Sequence, residues 1–323
     1  MRGREYTVLG TLALIWGASF LFIALAVREV SPATLAAVRV GSSVVTLGLL
    51  AAVRPKLFAG GWRFWRLSLA VGFINYVIPY IFIAWGETRI SSGMASILNA
   101  TTPLFTVLLA NWWAKPGYEA LTLRRGLGVA VGFVGVAVLV GPQLWGDVSA
   151  NRTDLLGLAA VLIAAAAYAV GALLARGYAG SAQLVGPLGS QIGALVVLVP
   201  IALFANAWVI VRWSPTFAIL WNPPTHLPSP LALGSMLELG ILGTAVAYLL
   251  YFWLIHQVGA TRTTIVTYLL PCTALVWGAL LLHETVTWYA LAGLALVLLG
   301  TMVTNGTLNG LVTRRRTAPA ETR

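Results

Sequence analysis

The chain has 323 residues, of which 59% are hydrophobic and only 9% are charged, and its formal net charge is +11. A soluble domain carries about a quarter charged residues, so this composition excludes an ordinary soluble protein and predicts that lipid covers most of the surface. The basic residues lie between apolar runs and at the C-terminus, which is typical of topology signals rather than of a nucleic-acid-binding surface. The single cysteine, Cys272, excludes an internal disulfide and a cysteine-rich zinc site.

Apolar runs long enough to cross a bilayer follow one another along the chain. A spanning helix needs about 20 mostly apolar residues. Ten runs meet this need, at residues 7–27, 33–53, 67–87, 92–112, 125–141, 155–175, 185–205, 231–252, 262–282 and 287–305. The first run has no clear small-residue cleavage site, so we interpret it as a retained helix rather than a removed signal peptide. The pattern predicts an all-α membrane protein with ten transmembrane helices.

The connections between these runs predict an orientation. Fifteen Lys and Arg residues fall on one side of the alternating connections and four on the other, with Arg39 inside the second run. Positive residues favour the cytoplasmic side, so we expect both termini in the cytoplasm, at a bacterial inner membrane. The connection 206–230 is long and rich in Trp and Pro. It is either an interfacial segment or a lid over a substrate path.

The two halves of the chain repeat each other. An offset of 168 residues aligns Tyr80 with Tyr248 and Pro103 with Pro271, and an offset of 165 aligns Glu119 with Glu284 and Gly128 with Gly293. The matches predict two five-helix repeats, at 7–141 and 155–305, followed by a basic cytoplasmic tail at 306–323. Because five is odd, the second copy enters the membrane from the opposite side, which is the arrangement used for alternating access with a substrate site near the midplane.

The motifs of the two halves resemble the EamA family of the drug/metabolite transporter superfamily. The first half carries Trp16-Gly17-Ala18-Ser19-Phe20, then Ser31-Pro32 and Arg39; the second carries Gly243-Thr244-Ala245-Val246-Ala247-Tyr248, then Gly259-Ala260-Thr261, Pro271 and Leu282-His283-Glu284. The resemblance covers about residues 7–305. It implies transport of a small metabolite through a central cavity lined by helices of both halves. The connection 206–230 departs from the usual short link of that family.

The fourth and ninth helices carry the first candidate substrate-binding residues. Ser96 and Asn99 precede Pro103 on one helix face, and Thr267 precedes Pro271 at the matching place in the second half. Each proline removes the hydrogen bond to the carbonyl four residues earlier, that of Asn99 or Thr267. Freed carbonyls at membrane depth are tolerated where they face protein or a wet cavity. The alternative is that the prolines only kink the helices and the hydroxyl groups bond to their own backbone.

Aromatic and polar residues of four other helices form a second candidate set. The substrate-binding candidates are Asn75, Tyr76 and Tyr80 in the third helix, Thr244 and Tyr248 in the eighth, Trp16 in the first and Tyr168 in the sixth. Tyrosine combines an apolar ring with a hydroxyl group, which suits an amphipathic metabolite. Ordinary helix packing is the alternative for all of them.

Two charges are predicted to lie inside the membrane. Arg39 and Glu238 fall within apolar runs, and a charge at a helix centre costs about 2.5–3.5 kcal/mol on insertion scales. Arg39 either bonds to carbonyls as a structural residue, or contacts a substrate carboxylate or forms part of a gate. Glu238 and Glu87 are the acidic residues considered for proton coupling, and Glu238 is also a candidate for pairing with Arg39. We expect Glu87, at a helix end, to be solvated, and Glu284 to support a structural turn.

These patterns favour a secondary transporter, an exporter or permease for a small organic metabolite such as an amino acid. A membrane-embedded enzyme and a lipid flippase are the alternatives, but the chain has no HExxH, P-loop or GxGxxG motif. No cofactor, metal or nucleic-acid partner is expected. Gly128 and Gly132 form a small-xxx-small pattern that either packs the fifth helix on the tenth or forms a homodimer contact.

Overall fold

The apolar runs of the sequence are helices in the computed structural model. It describes residues 3–52, 61–112, 122–144, 148–175, 185–210 and 227–306. Within these ranges the regular secondary structure is helical, without a strand, which confirms the all-α prediction. Most of the connection 206–230, the residue Glu119 and the tail beyond Gly306 lie outside the described residues.

The helices follow the sequence in this order. The first half contains α1 (Gly3–Ala26), α2 (Pro32–Ala52), α3 (Trp62–Gly72), α4 (Ile78–Glu87), α5 (Ser92–Asn99), α6 (Thr102–Trp112) and α7 (Leu123–Leu144). The second half contains α8 (Val148–Ala175), α9 (Val185–Ile210), α10 (Pro230–Gly240), α11 (Ala247–Val258), α12 (Ala260–Thr263), α13 (Ile265–Leu281) and α14 (Trp288–Thr304). A π turn, Phe73–Val77, joins α3 to α4, and a second π turn, Ile241–Val246, joins α10 to α11.

Eight helical segments of the described residues are long and apolar enough to cross a membrane, with mean hydropathy between 1.4 and 2.4. Two further apolar helices, α13 and α14, have 17 residues each. At 1.5 Å per residue a 17-residue helix is about 25 Å long, slightly less than a hydrocarbon core of about 30 Å. Eight crossings are therefore supported by length and composition, and the count of ten stays a prediction.

The two repeat-related prolines have different surroundings. The predicted helix 92–112 is broken, because α5 ends at Asn99 and α6 begins at Thr102, with Pro103 in the first turn of α6. Proline fits a first turn because the missing N–H has no intrahelical acceptor there. Pro271 instead lies inside the continuous helix α13.

The pair α7 and α14 is held together by glycines. A Cβ atom added to Gly300 would overlap the backbone of Gly128 and Gly132, and one added to Gly135 would overlap the Gly293 carbonyl. Small residues of this kind let two helices approach until their backbones touch. Of the two roles that the sequence left open for these glycines, the structure shows packing within the chain.

Other glycines join one half of the chain to the other near its centre. Gly72 at the end of α3 contacts the backbone of α9, and Gly240 at the end of α10 contacts the Arg39 carbonyl of α2. Gly17 of α1 lies against Thr273 of α13, whose hydroxyl group donates to the Ala13 carbonyl at 2.8 Å. These contacts place α3 against α9, the end of α10 against α2, and α1 against α13.

Candidate functional site

Arg39 of α2 lies at the contact between the two halves. Its guanidinium Nε donates a hydrogen bond of 3.0 Å to the Thr244 hydroxyl oxygen. The guanidinium carbon stands 4.0 Å from the centre of the Tyr80 ring, within the range of a cation–π contact. Only 7% of the Arg39 surface is exposed, so its guanidinium is buried, with a hydroxyl group and an aromatic face among its contacts.

The second π turn prepares Thr244 for this contact. Its hydroxyl group donates to the Leu239 carbonyl, five residues earlier, at 2.8 Å. Because that hydrogen is used, the oxygen of the same hydroxyl group is free to accept from Arg39. A π turn leaves such a carbonyl accessible because its backbone bonds skip to the fifth residue. The local backbone therefore fixes both the position and the hydrogen-bonding role of Thr244.

Aromatic side chains continue from Arg39 across the contact between the halves. Tyr80 and Tyr76 meet edge to face with ring centres 5.5 Å apart. Tyr76 is 6.3 Å from Tyr248 of the second half, and Tyr248 stacks on Phe252 at 6.1 Å. Such separations are those of favourable aromatic pairs. The structure thus brings together the candidate tyrosines of the two halves of the chain.

The same row of rings reaches Trp16 through two residues that the sequence analysis missed. Phe252 contacts Tyr251 at 5.9 Å, and Tyr251 contacts Trp16 at 5.4 Å. Tyr251 and Phe252 follow Tyr248 by three and four positions, the spacing that places side chains on one helix face. That spacing was the signal that could have identified them.

Asn75, Tyr168 and Gln191 surround this aromatic row. Asn75 of the first π turn rests on Gly171 of α8. Tyr168 packs against the hydrophobic cluster that contains Tyr76 and Tyr80. Gln191 is completely buried in α9. The site therefore combines the Arg39 guanidinium with neutral polar side chains.

The candidates on α5 and α13 use their polar groups locally. The Ser96 hydroxyl group donates to the Gly93 carbonyl at 2.6 Å, and that of Thr267 donates to the Thr264 carbonyl at 2.7 Å. The Asn99 carbonyl, freed by Pro103, accepts from the Thr102 hydroxyl group at 2.7 Å. This is the backbone-bonding alternative left open by the sequence. The Asn99 side-chain oxygen is buried and has no hydrogen-bond partner among the described residues.

The acidic residues differ from expectation. Glu238 is half-buried. Arg39 donates its hydrogen bond to Thr244 and does not form the ion pair with Glu238 that the sequence allowed. Glu87 was expected to be solvated, which is wrong, because only 8% of its surface is exposed. Neither of its carboxylate oxygens has a hydrogen-bond partner among the residues that the structure describes. The burial arises from a close approach of α4 and α8, where Gly86 meets Gly157.

Glu284 and Glu29 cap the first turns of other helices. Glu284 accepts from the Ser92 amide at 2.8 Å, from the Ser92 hydroxyl group at 2.9 Å and from the Gly93 amide at 3.2 Å. Glu29 accepts from the amide and hydroxyl groups of Ser229 at 2.6 and 2.7 Å. Carboxylates at helix N-termini satisfy free amides and complement the helix dipole. The predicted structural role of Glu284 is confirmed.

A cavity of about 300 Å³ opens beside Glu284. Its wall includes Arg89, Asp154 and Tyr289. The Arg89 guanidinium lies 3.6 Å from the centre of the Trp85 ring and donates to the Trp85 carbonyl at 3.1 Å. Partial burial lowers the pKa of this guanidinium. We call the side of the bundle that carries this cavity, the end of α4 and the start of α5 the Glu284 face.

Comparison with known proteins gives consistent matches over both halves. A family model described as the EamA-like transporter family matches residues 5–141 and again residues 151–306. An Archaeoglobus fulgidus protein named an uncharacterized transporter is 26% identical over 300 residues, which are 92% of this chain and 97% of that protein. The Escherichia coli protein named uncharacterized inner membrane transporter YedA is 26% identical over 297 residues, with 88% and 86% covered. A solved crystal structure with 17% identity covers 98% of this chain and 100% of its own at a TM-score of 0.62.

Proposed function

We propose, from the premise that this chain belongs to the EamA-like transporter family, that it moves a small organic metabolite by alternating access. The resemblance drawn from the sequence motifs is confirmed by that membership. The relatives are named transporters, and the apolar helices make the chain a multi-pass membrane protein. The observation that carries the proposal is the contact of Arg39 with Thr244 and Tyr80, because it places a buried guanidinium between the two halves.

Reciprocal contacts support two repeats of five helices. The π turns Phe73–Val77 and Ile241–Val246 begin 168 positions apart, the same offset that aligns Tyr80 with Tyr248. Gly72 of the first half packs on α9, and Gly240 of the second half packs on α2. Since α2 and α9 are the second helices of the two repeats, each contact is the counterpart of the other.

Contacts at the helix ends support opposite senses for the repeats. The end of α4 meets the early part of α8 at Gly86 and Gly157, so the first repeat reaches the Glu284 face where the second begins. The link after α1 binds the start of α10 through Glu29 and Ser229. We infer that this link also lies at the Glu284 face; α10 would then start at the face where α4 ends, and the Tyr80 and Tyr248 segments would run in opposite directions. This is the inverted arrangement of alternating-access carriers.

The chemistry of the site favours a substrate with an anionic group and an apolar body. The Arg39 guanidinium keeps donors beyond the Nε that binds Thr244, since a guanidinium has five N–H groups. Tyr76, Tyr80, Tyr248 and Phe252 supply aromatic faces. An amino acid with an aromatic or branched side chain fits both features. The chain would act as an exporter or permease in a bacterial inner membrane, with both termini cytoplasmic.

Flux through purified protein tests this function. The chain is reconstituted in proteoliposomes, and uptake and efflux of a panel of radiolabelled amino acids and organic acids are measured with and without a pH gradient. Saturable flux of at least one compound supports the proposal. Absence of flux for every compound contradicts it, and hydrolysis of a compound without translocation favours the enzyme alternative. Reporter tags at the two ends test the orientation, which requires both ends on one face.

A further inference from the structure

We propose that Glu87 is a proton-binding site through which a pH gradient drives the transporter. This inference rests on the proposed function and adds a coupling ion and a residue to it. The sequence directed attention to Glu238, which lies deeper in an apolar run. The structure reverses the order of the two carboxylates, because Glu87 is 8% exposed whereas Glu238 is half-buried.

The surroundings of the Glu87 side chain favour its neutral form. Both carboxylate oxygens are buried and have no hydrogen-bond partner among the described residues. An ionised carboxylate without hydrogen bonds or a paired cation is strongly destabilised away from water. A bound proton removes that cost. For Glu238, only one carboxylate oxygen, Oε2, is buried without a hydrogen-bond partner among the described residues.

The nearest cation in the sequence does not neutralise Glu87. The Arg89 guanidinium stacks on Trp85 and donates to the Trp85 carbonyl and the Thr88 hydroxyl group. It therefore points along its own turn, away from an ion pair with Glu87. Gly86, next to Glu87 in α4, meets Gly157 of α8, so the two helices approach closely beside this residue.

Other charged and titratable groups act on Glu87 from the elements packed against α4. Glu284, in the link after α13, repels the ionised form, and Arg39 of α2 attracts it. The helix α8 contributes Asp154, in the wall of the cavity, and Tyr168, beside the aromatic row. The helix α5 contributes no ionisable side chain, and the ionisable residues of α1, Arg4, Glu5 and Tyr6, lie in its first turn.

Glu87 has two charged neighbours, Glu284 and Arg39, which act on its ionised form in opposite ways. Glu284 lines the cavity at the Glu284 face and acts on Glu87 electrostatically, so a proton arriving through the cavity meets Glu284 first. Arg39 lies on the other side, in the proposed substrate site. An anionic substrate group that binds Arg39 would compensate its positive charge and so weaken the attraction between Arg39 and the ionised Glu87. Substrate binding would then strengthen proton binding, and a proton and an anionic group would occupy the site together.

Infrared spectroscopy of the purified chain in lipid nanodiscs tests the proton site without any substrate. Wild-type protein is expected to show the carbonyl band of a neutral carboxylic acid at neutral pH. The band should be lost in Glu87→Gln and retained in Glu238→Gln and in the matched control Glu5→Gln. Persistence of the band in Glu87→Gln, or its loss in Glu238→Gln alone, overturns the proposal. Loss of the wild-type band when sodium replaces potassium also overturns it, since sodium would then be the bound cation.

Flux measurements test the coupling. With the panel amino acid that wild-type protein transports fastest, accumulation driven by a pH gradient is expected to fall about tenfold or more in Glu87→Gln. Exchange of labelled for unlabelled amino acid across the same membrane, which needs no net proton movement, should continue. Glu87→Asp keeps a titratable group and should retain part of the accumulation. Unchanged gradient-driven accumulation in Glu87→Gln contradicts the inference, whereas absence of all flux in wild-type protein contradicts the proposed function instead.

Discussion

The contact between α7 and α14 and the contact around Arg39 both join the two halves of the chain, but they are built in opposite ways. In the first, Gly128, Gly132 and Gly300 bring two backbones together without intervening side chains. In the second, Arg39 and several aromatic rings fill the space between helices. Contacts made by backbones tolerate no displacement, whereas long side chains can change partners. Under the proposed function, α7 and α14 would hold the halves together while the Arg39 region would rearrange around a substrate.

The largest effect is expected from filling the glycine contact. Gly300→Leu places a branched side chain against the backbone of Gly128 and Gly132, where no flexible group can yield. Overpacking a core costs about 1–3 kcal/mol, and a contact made only of backbone should exceed that range. The yield of folded protein and its thermal midpoint in detergent measure the loss. Gly126→Ala is the matched control on α7, because a Cβ there meets no atom within 4 Å; equal loss in both variants would refute the role of the contact.

Replacement of Arg39 should affect flux more than folding. Arg39→Lys keeps the charge but loses the planar group that stacks on Tyr80 and donates through Nε to Thr244. We expect proteoliposome flux to fall about tenfold or more, with a folded protein still recovered. Arg28→Lys, at an exposed position of the link after α1, is the control. Normal flux in Arg39→Lys would remove Arg39 from the proposed site.

A smaller loss is expected when one ring of the aromatic row is removed. Tyr248→Ala deletes the side chain that bridges Tyr76 and Phe252, so a substrate would lose one aromatic face worth about 0.5–1.5 kcal/mol. The apparent affinity in flux assays should weaken severalfold. Tyr6→Ala, with 62% of the side chain exposed in the wild type, should leave it unchanged. A similar affinity in both variants would favour the packing alternative.

The smallest effect is expected at the helix caps, which belong to neither contact. Glu284→Gln keeps the shape of the side chain but removes the charge that accepts from Ser92 and Gly93. The loss of a capping carboxylate costs about 1 kcal/mol, equivalent to a fall of about 2–4 °C in the thermal midpoint. Glu29→Gln should give a similar fall through the start of α10. An unchanged midpoint in both variants would mean that water replaces these bonds at no cost.

The sequence predicted the helical fold and much of the site because unusual residues stand out in an apolar chain. Arg39, Tyr80 and Tyr248 are conspicuous for this reason, and the repeat offset alone pairs the two tyrosines as counterparts. The break between α5 and α6 was not predicted, since Pro103 and Pro271 look alike in sequence but only Pro103 lies in the first turn after a break.

Glu87 shows why the remainder could not be read from the sequence. Its position at the end of an apolar run indicated a solvated carboxylate, and its burial depends on Gly86 meeting Gly157, a residue about seventy positions away. Ser96 and Thr267 show a second limit. Whether a hydroxyl group faces a cavity or its own backbone is decided by side-chain rotation, which residue spacing does not specify.

The two π turns have a consequence for how this sequence can vary in length. Each π turn contains one residue more than an α-helical turn, and each residue advances a helix by about 100°. Because the extra residue is contained within one wider turn, deleting one residue from Phe73–Val77 or from Ile241–Val246 would restore an α-helical turn and leave Tyr80 and Tyr248 on the same helix faces. What such a deletion would remove is the spacing of five residues between the Leu239 carbonyl and the Thr244 hydroxyl group. Single-residue length changes inside these two segments should therefore preserve the helix packing, and in the second segment they should break the contact that holds Thr244 in place.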